Sequence, residues 1–180
     1  MIHVAFLRAI NVGGRAVVKM TELKAAFARA GCRNVRTFIA SGNVVFEAPP
    51  KLPAALRTRI AKELVTVFGK EPGVCYRTLD EIDALIAANP FGKHASDRAL
   101  KLYIAFMDRV PSKLPKLPLV VEKELVEITA IRAADMMLVS RRKPNGMYGF
   151  PNACVEDLGV TATSRNWNTV TRVAAFARKP

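Results

Sequence analysis

A chain of 180 residues is long enough to bury about 70% of its unfolded surface in its own core, without disulfide or metal staples. Hydrophobic content of 51% with 24% charged residues excludes a disordered chain, and no apolar run approaches the ~20 residues that span a bilayer. Lys and Arg number 28 against 15 Asp and Glu, and the resulting net charge of +13 favours anionic partners.

The excess charge is spread along the chain. Thirteen basic and 7 acidic residues precede position 91, and 15 and 8 follow it. Cys32, Cys75 and Cys154 are widely spaced, with no C-x-x-C pair, and no His/Asp/Glu cluster has metal-ligand spacing. The expectation is a reduced, cytoplasmic protein with no metal, no cofactor and no membrane segment.

In chain order, Ile2 to Leu7 is apolar on both alternating faces and reads as a central strand rather than a signal peptide. After the Asn11-Val12-Gly13-Gly14-Arg15 loop, Thr21 is placed to cap a helix whose apolar stripe is Leu23, Ala26, Phe27 and Ala30. Residues 35–40 and 44–47 form strands around the tight Ser41-Gly42-Asn43 turn. Pro53 opens a second helix with Leu56, Ile60, Leu64, Val67 and Phe68 as its buried stripe, and Val74 to Thr78 is a fourth strand.

This β-α-β-β-α-β order is that of a ferredoxin-like half. In a plain version of that half, the hairpin and the end of the first strand are expected at opposite sheet edges.

Asp80 is placed to cap the next helix, which ends at Asn89-Pro90. Lys101 to Met107, Glu124 to Ile131 and Met136 to Arg142 read as strands. Ala153 to Leu158 reads as a short helix, and the last helix runs from Asn166 or Trp167 to Arg178. The fold class is therefore α+β: a ferredoxin-like half over 1–79 and a second, related α+β half over 80–180 packed on it.

Three stretches carry candidate chemistry. Arg8, Asn11, Gly13 and Gly14 surround a strand-to-helix loop whose backbone N–H groups suit an anion, although the loop is neither a P-loop nor a dinucleotide fingerprint. Arg141, Arg142 and Lys143, with Tyr148 and Phe150 close behind, set cations beside stackable rings, a combination suited to single-stranded nucleic acid. In the third, Thr163 or Ser164 caps the last helix and puts Arg165, Asn166 and Asn168 in its first turn, where free N–H groups favour an anion. Ser41 has no evident base partner, so no catalytic residue is assigned. Glu122, Glu124 and Glu127 read as a solvated face.

Four segments in order are Leu7-Arg8-Ala9-Ile10-Asn11-Val12-Gly13-Gly14, Ser41-Gly42-Asn43-Val44-Val45-Phe46, Asn89-Pro90-Phe91 and Thr163-Ser164-Arg165-Asn166-Trp167-Asn168-Thr169. Together they resemble the bacterial family known as domain of unknown function 1697. The resemblance covers the whole chain and implies a small α+β protein with ferredoxin-like parts. It implies no activity, cofactor or catalytic residue.

The functional expectation is binding of a phosphate-bearing ligand or nucleic acid. The alternative is an enzyme or small-ligand receptor with a polar pocket between the halves, lined by Arg8, Asn11, Gly13, Gly14, Arg165, Asn166 and Asn168. Oligomeric state is open.

Overall fold

A computed structural model of the chain describes residues 1–8, 10, 18–155 and 158–179. Two compact units are formed, Met1–Asp83 with Val173–Pro180, and Ala84–Arg172.

The first unit contains β1 (Ile2–Leu7), α1 (Met20–Arg29), β2 (Arg33–Phe38), β3 (Asn43–Glu47), α2 (Ala54–Phe68) and β4 (Val74–Thr78). Its strands lie in the order β2-β3-β1-β4, every neighbouring pair antiparallel. The register sets Ala5 opposite both Val44 and Tyr76, so these side chains share one face. That face packs against Leu23 and Phe27 of α1 and Leu56, Ile60 and Leu64 of α2. Side chains of this size contribute about 1.5–3 kcal/mol each when fully buried.

The opposite face carries Val4, Phe6, Asn43, Val45 and Cys75, all buried. The last turns of α4 (Trp167–Ala177) meet β2 at its edge: the Phe176 and Phe38 rings are 5.2 Å apart, and the Arg36 guanidinium lies 5.0 Å above Phe176.

Several local expectations change. α1 starts at Met20, one residue before the expected cap Thr21, and its cap position is Lys19 with no side-chain bond. β2 begins at Arg33 and ends at Phe38, leaving residues 39–42 to the turn. α3 (Leu79–Ala87) is capped by Thr78, not Asp80. The Thr78 hydroxyl takes the Glu81 N–H at 3.1 Å, and the Glu81 carboxylate takes the Thr78 N–H at 2.7 Å. This reciprocal pair is a capping box that the spacing Thr-x-x-Glu encodes directly.

The expected separation of hairpin and first strand is also overturned. β1 and β3 are antiparallel neighbours, so the end of β1 lies beside the start of β3: Phe6 faces Asn43, and the Leu7 N–H donates to the Gly42 carbonyl at 2.8 Å. Gly42 has φ +72, and a β-carbon there would press on Leu7 and Ile10 at 3.2 Å, so only glycine suits this crossing.

The second unit is built on β5 (Lys101–Met107), β6 (Leu119–Val121), β7 (Val126–Arg132), β8 (Asp135–Ser140) and β9 (Ala162–Asn166), in the order β6-β7-β8-β5-β9. Ala105, Met107, Met136, Leu138 and Ala162 pack with Cys154 and Val155 at the 3-10 turn Pro151–Cys154. The short helix expected over 153–158 is replaced by this turn as far as residue 155, and residues 156 and 157 lie outside the described set.

Two strands were not foreseen. β6 has only three residues, and β9 occupies Ala162–Asn166, where the sequence suggested a helix start. Glu124 and Leu125 form a turn before β7 instead of its first residues, and Arg141 and Arg142 leave the sheet after β8. Among the described residues no helix is long and apolar enough to cross a membrane.

Candidate functional site

Of the glycine-loop residues, Asn11, Gly13 and Gly14 lie outside the described set. Arg8 is half-buried at the end of β1, where its N–H donates to the Gly73 carbonyl at 2.7 Å. The exit of β1 is thus held between Gly42 on one side and Gly73 on the other. Asn43 is wholly buried and donates through Nδ2 to the Phe38 carbonyl at 3.1 Å and to Ser41 Oγ at 2.9 Å. Those bonds make the Ser41 hydroxyl part of the hairpin turn.

The third candidate stretch needs correction. Arg165 belongs to β9 and pairs with Ile104 of β5, so it is not in a helical turn. It is 8% exposed, and its Nη1 donates to Thr163 Oγ1 at 2.7 Å and to the Ser164 carbonyl at 2.9 Å. α4 begins two residues later. Asn166 precedes it as the cap, its Oδ1 accepting the Asn168 N–H at 3.0 Å. Part of the donor set expected to hold an anion is therefore engaged within the protein. Trp167 is half-buried and meets Phe91 edge-on, ring centres 5.3 Å apart. The four motifs thus converge in pairs: the end of β1 with the 41–43 hairpin in the first unit, and Phe91 with Trp167 in the second.

The basic stretch after β8 forms an ordered hairpin. Arg142 bridges Tyr148, the Lys143 N–H donates to the Met147 carbonyl at 2.7 Å, and Gly146 N–H returns to the Lys143 carbonyl at 2.8 Å. Glu124 ties the hairpin down. One of its carboxylate oxygens accepts both the Lys143 ammonium and the Phe150 N–H, each at 2.9 Å. The Lys143 bond, followed by the Phe150 N–H, holds the Glu124 carboxyl below the usual carboxylate range. Gly149 makes this closeness possible, because any β-carbon at that position would collide with the Glu124 carbonyl oxygen.

A second anchor lies on β5 and the chain before it. The Tyr148 hydroxyl donates to the Ala99 carbonyl at 3.0 Å, and the Lys101 ammonium sits over the Tyr148 ring at 4.3 Å. Arg141 is paired to Glu127 at 2.8 Å. Glu124 and Glu127, expected on a solvated face, are therefore the counter-ions of Lys143 and Arg141.

The exposed cations here that carry no ion pair share only Arg142 with the set the sequence suggested. Arg98, Lys101 and Arg142 are exposed, and among the described residues none of the three joins a carboxylate in an ion pair. Arg142 spends its Nε–H on the Gly146 carbonyl at 2.9 Å. On the same hairpin Phe150 and Met147 stand 55% and 66% exposed. Arg98 and Lys101 were missed because the pairing of Lys101 with Ser140, which brings residues 98–101 to the hairpin, leaves no local mark in the sequence.

Cys32 and Cys154 are each pushed up to about 11 by burial, which keeps them protonated thiols of low nucleophilicity. Among the described residues no group of three His, Cys, Asp or Glu side chains is placed to hold a metal ion.

Among the described residues the fold is thus mixed α+β, with two antiparallel sheets and four α-helices. The chain belongs to the family described as protein of unknown function (DUF1697), whose model matches residues 1–133. The solved structure of the conserved bacterial protein SP0830 from Streptococcus pneumoniae is similar over 98% of each chain, with a TM-score of 0.64 and 17% sequence identity. At that identity the likeness is one of fold. No curated protein matches the chain.

Proposed function

We propose that the protein binds a phosphate-bearing polyanion, nucleic acid in particular, on the surface formed by residues 98–101 and the 141–150 hairpin. The observation that carries this reading is the exposed trio Arg98, Lys101 and Arg142 around a hairpin whose other cations are already neutralised. A hydrogen-bonded hairpin presents these charges, which limits the loop freedom lost on binding. The net charge of +13 adds long-range attraction. The absence of any disulfide among Cys32, Cys75 and Cys154 fits a cytoplasmic setting.

Fluorescence anisotropy with short RNA and DNA strands tests the reading. Three phosphate contacts on a single strand give a log–log salt slope of about −2, hence roughly 20-fold weaker binding when salt is quadrupled. Absence of binding at low salt would sink the proposal.

A second reading, a small-ligand receptor or enzyme, draws on the exit of β1, where Leu7 is bound to Gly42 of the hairpin turn and Arg8 to Gly73 at one end of the first sheet. A thermal-shift screen of nucleotides and anionic metabolites tests it. Hits that Arg8→Ala leaves unchanged would remove that site from consideration.

A further inference from the structure

We infer that Phe150 stacks on an unpaired base, so that the hairpin selects single-stranded nucleic acid over the duplex. This rests on the polyanion reading and adds to it the residue that reads strandedness.

Two aromatic rings are available on the hairpin, and their situations differ. Tyr148 is half-buried, one ring face lies under the Lys101 ammonium, and its hydroxyl is fixed to Ala99. Phe150 is 55% exposed, and among the described residues its ring meets no other aromatic or cation. Covering an exposed phenyl ring removes apolar surface from water, which favours a stacked ligand.

The Phe150 backbone is also held. Its N–H is bound to Glu124, and Gly149 before it lies against the Glu124 backbone. The ring therefore stands on a fixed backbone, and ordering it against a ligand costs little. Sequence-tolerant stacking of a base on such a ring is open only to bases already out of a helix. Arg142 bridges Tyr148 through the backbone and the Lys101 ammonium lies over the Tyr148 ring, so both cations belong to the neighbourhood of a residue two positions before Phe150.

A lipid surface is the competing occupant. Only Phe150 and Met147 are exposed large apolar residues on the hairpin, and stable interfacial binding draws on a broader apolar face. One ring among cations suits one base.

The test compares wild type, Phe150→Ala and Phe150→Trp against a labelled pyrimidine strand of about 12 nucleotides, the matching duplex, and heparin. Phe150→Ala is expected to bind the single strand about tenfold more weakly, with duplex and heparin binding unchanged. Phe150→Trp is expected to retain the affinity, with emission of the new indole quenched as the strand binds. Equal single-strand affinity in wild type and Phe150→Ala would overturn the inference, as would an equal loss on heparin. Phe150-dependent sedimentation with phosphatidylglycerol vesicles, without single-strand binding, would assign the ring to lipid instead. Wild type that binds neither the strand nor heparin would overturn the polyanion reading itself. Heparin binding with no effect of Phe150→Ala would remove only the stacking role.

Discussion

The ammonium of Lys101 lies 4.3 Å from the centre of the Tyr148 ring, joining the first residue of β5 to the returning arm of the 141–150 hairpin. A cation over a ring face contributes about 0.5–1 kcal/mol at an exposed site and keeps its outward N–H groups for another partner. Lys101 is therefore an anchor of the hairpin and, in the function proposed above, also one of the three cations offered to a polyanion.

Replacing it separates these roles. Lys101→Ala is expected to reduce the salt slope of single-strand binding by about 0.7, the loss of one phosphate contact. Lys101→Arg is expected to keep the slope, because a guanidinium stacks on tyrosine and binds phosphate as well. Affinities measured at four salt concentrations give the slopes. An unchanged slope in Lys101→Ala would take Lys101 out of the interface.

Gly149 is the position where the hairpin tolerates least. A methyl group there meets backbone rather than a movable side chain, so the hairpin must shift and the Phe150–Glu124 bond must lengthen or break. Gly149→Ala is expected to lower stability by about 1–3 kcal/mol, the usual range for forced overpacking. Urea denaturation measures this. Gly146→Ala is the contrast, since a β-carbon there meets no atom and only the left-handed backbone at φ +81 resists it.

His3 gives the first unit a pH dependence. The ring is 2% exposed, stacks on Phe46 at 5.5 Å, and its Nε2 is 2.9 Å from the Pro49 carbonyl, which requires the proton on Nε2. Burial lowers its pKa from 6.5, and the N-terminal ammonium and Arg57 act in the same direction. The Pro49 bond and Glu81 oppose them only in part. A depressed histidine stabilises the fold fully above its unfolded value near 6.5, and that contribution is lost as pH falls toward the folded value. Thermal midpoints between pH 7.5 and 5 are expected to fall for wild type more than for His3→Gln. Parallel curves for the two proteins would refute this.

Arg36 holds the end of α4 to the first sheet. Its Nη2 donates to the Ala177 carbonyl at 3.0 Å while the guanidinium lies over Phe176, so one side chain meets the negative helix end and an aromatic face together. Arg36→Ala is expected to cost about 1–2 kcal/mol, and Arg36→Lys less, with the charge kept but the planar group gone. A change below about 0.3 kcal/mol in denaturant titration would show that the cap is dispensable.

The elements that sequence patterning revealed are those with a strong local period. The stripe Leu56, Ile60 and Leu64 repeats once per turn and faces the sheet as expected, and β1 and β4 appear where apolar runs placed them. β9 was hidden because Ala-Thr-Ser-Arg-Asn contains one β-branched residue among groups that commonly cap helices, and its strand conformation is imposed by pairing with β5. Reading it as a helix start moved Arg165 to an exposed turn, whereas strand pairing buries it. The basic hairpin was legible as a composition, but its partners were not. Glu124 and Lys143 are 19 residues apart, and which cations they leave outward depends on strand pairings far apart in the chain.

The central claim is that Arg98, Lys101 and Arg142 together form a polyanion site, and a triple alanine variant tests it most directly. Its affinity for a single strand of about 12 nucleotides, measured near 50 mM salt beside wild type, is expected to be at least tenfold weaker, with the thermal midpoint lowered by no more than about 4 °C. Equal affinity of the two proteins, or no measurable binding by wild type under those conditions, would contradict the account.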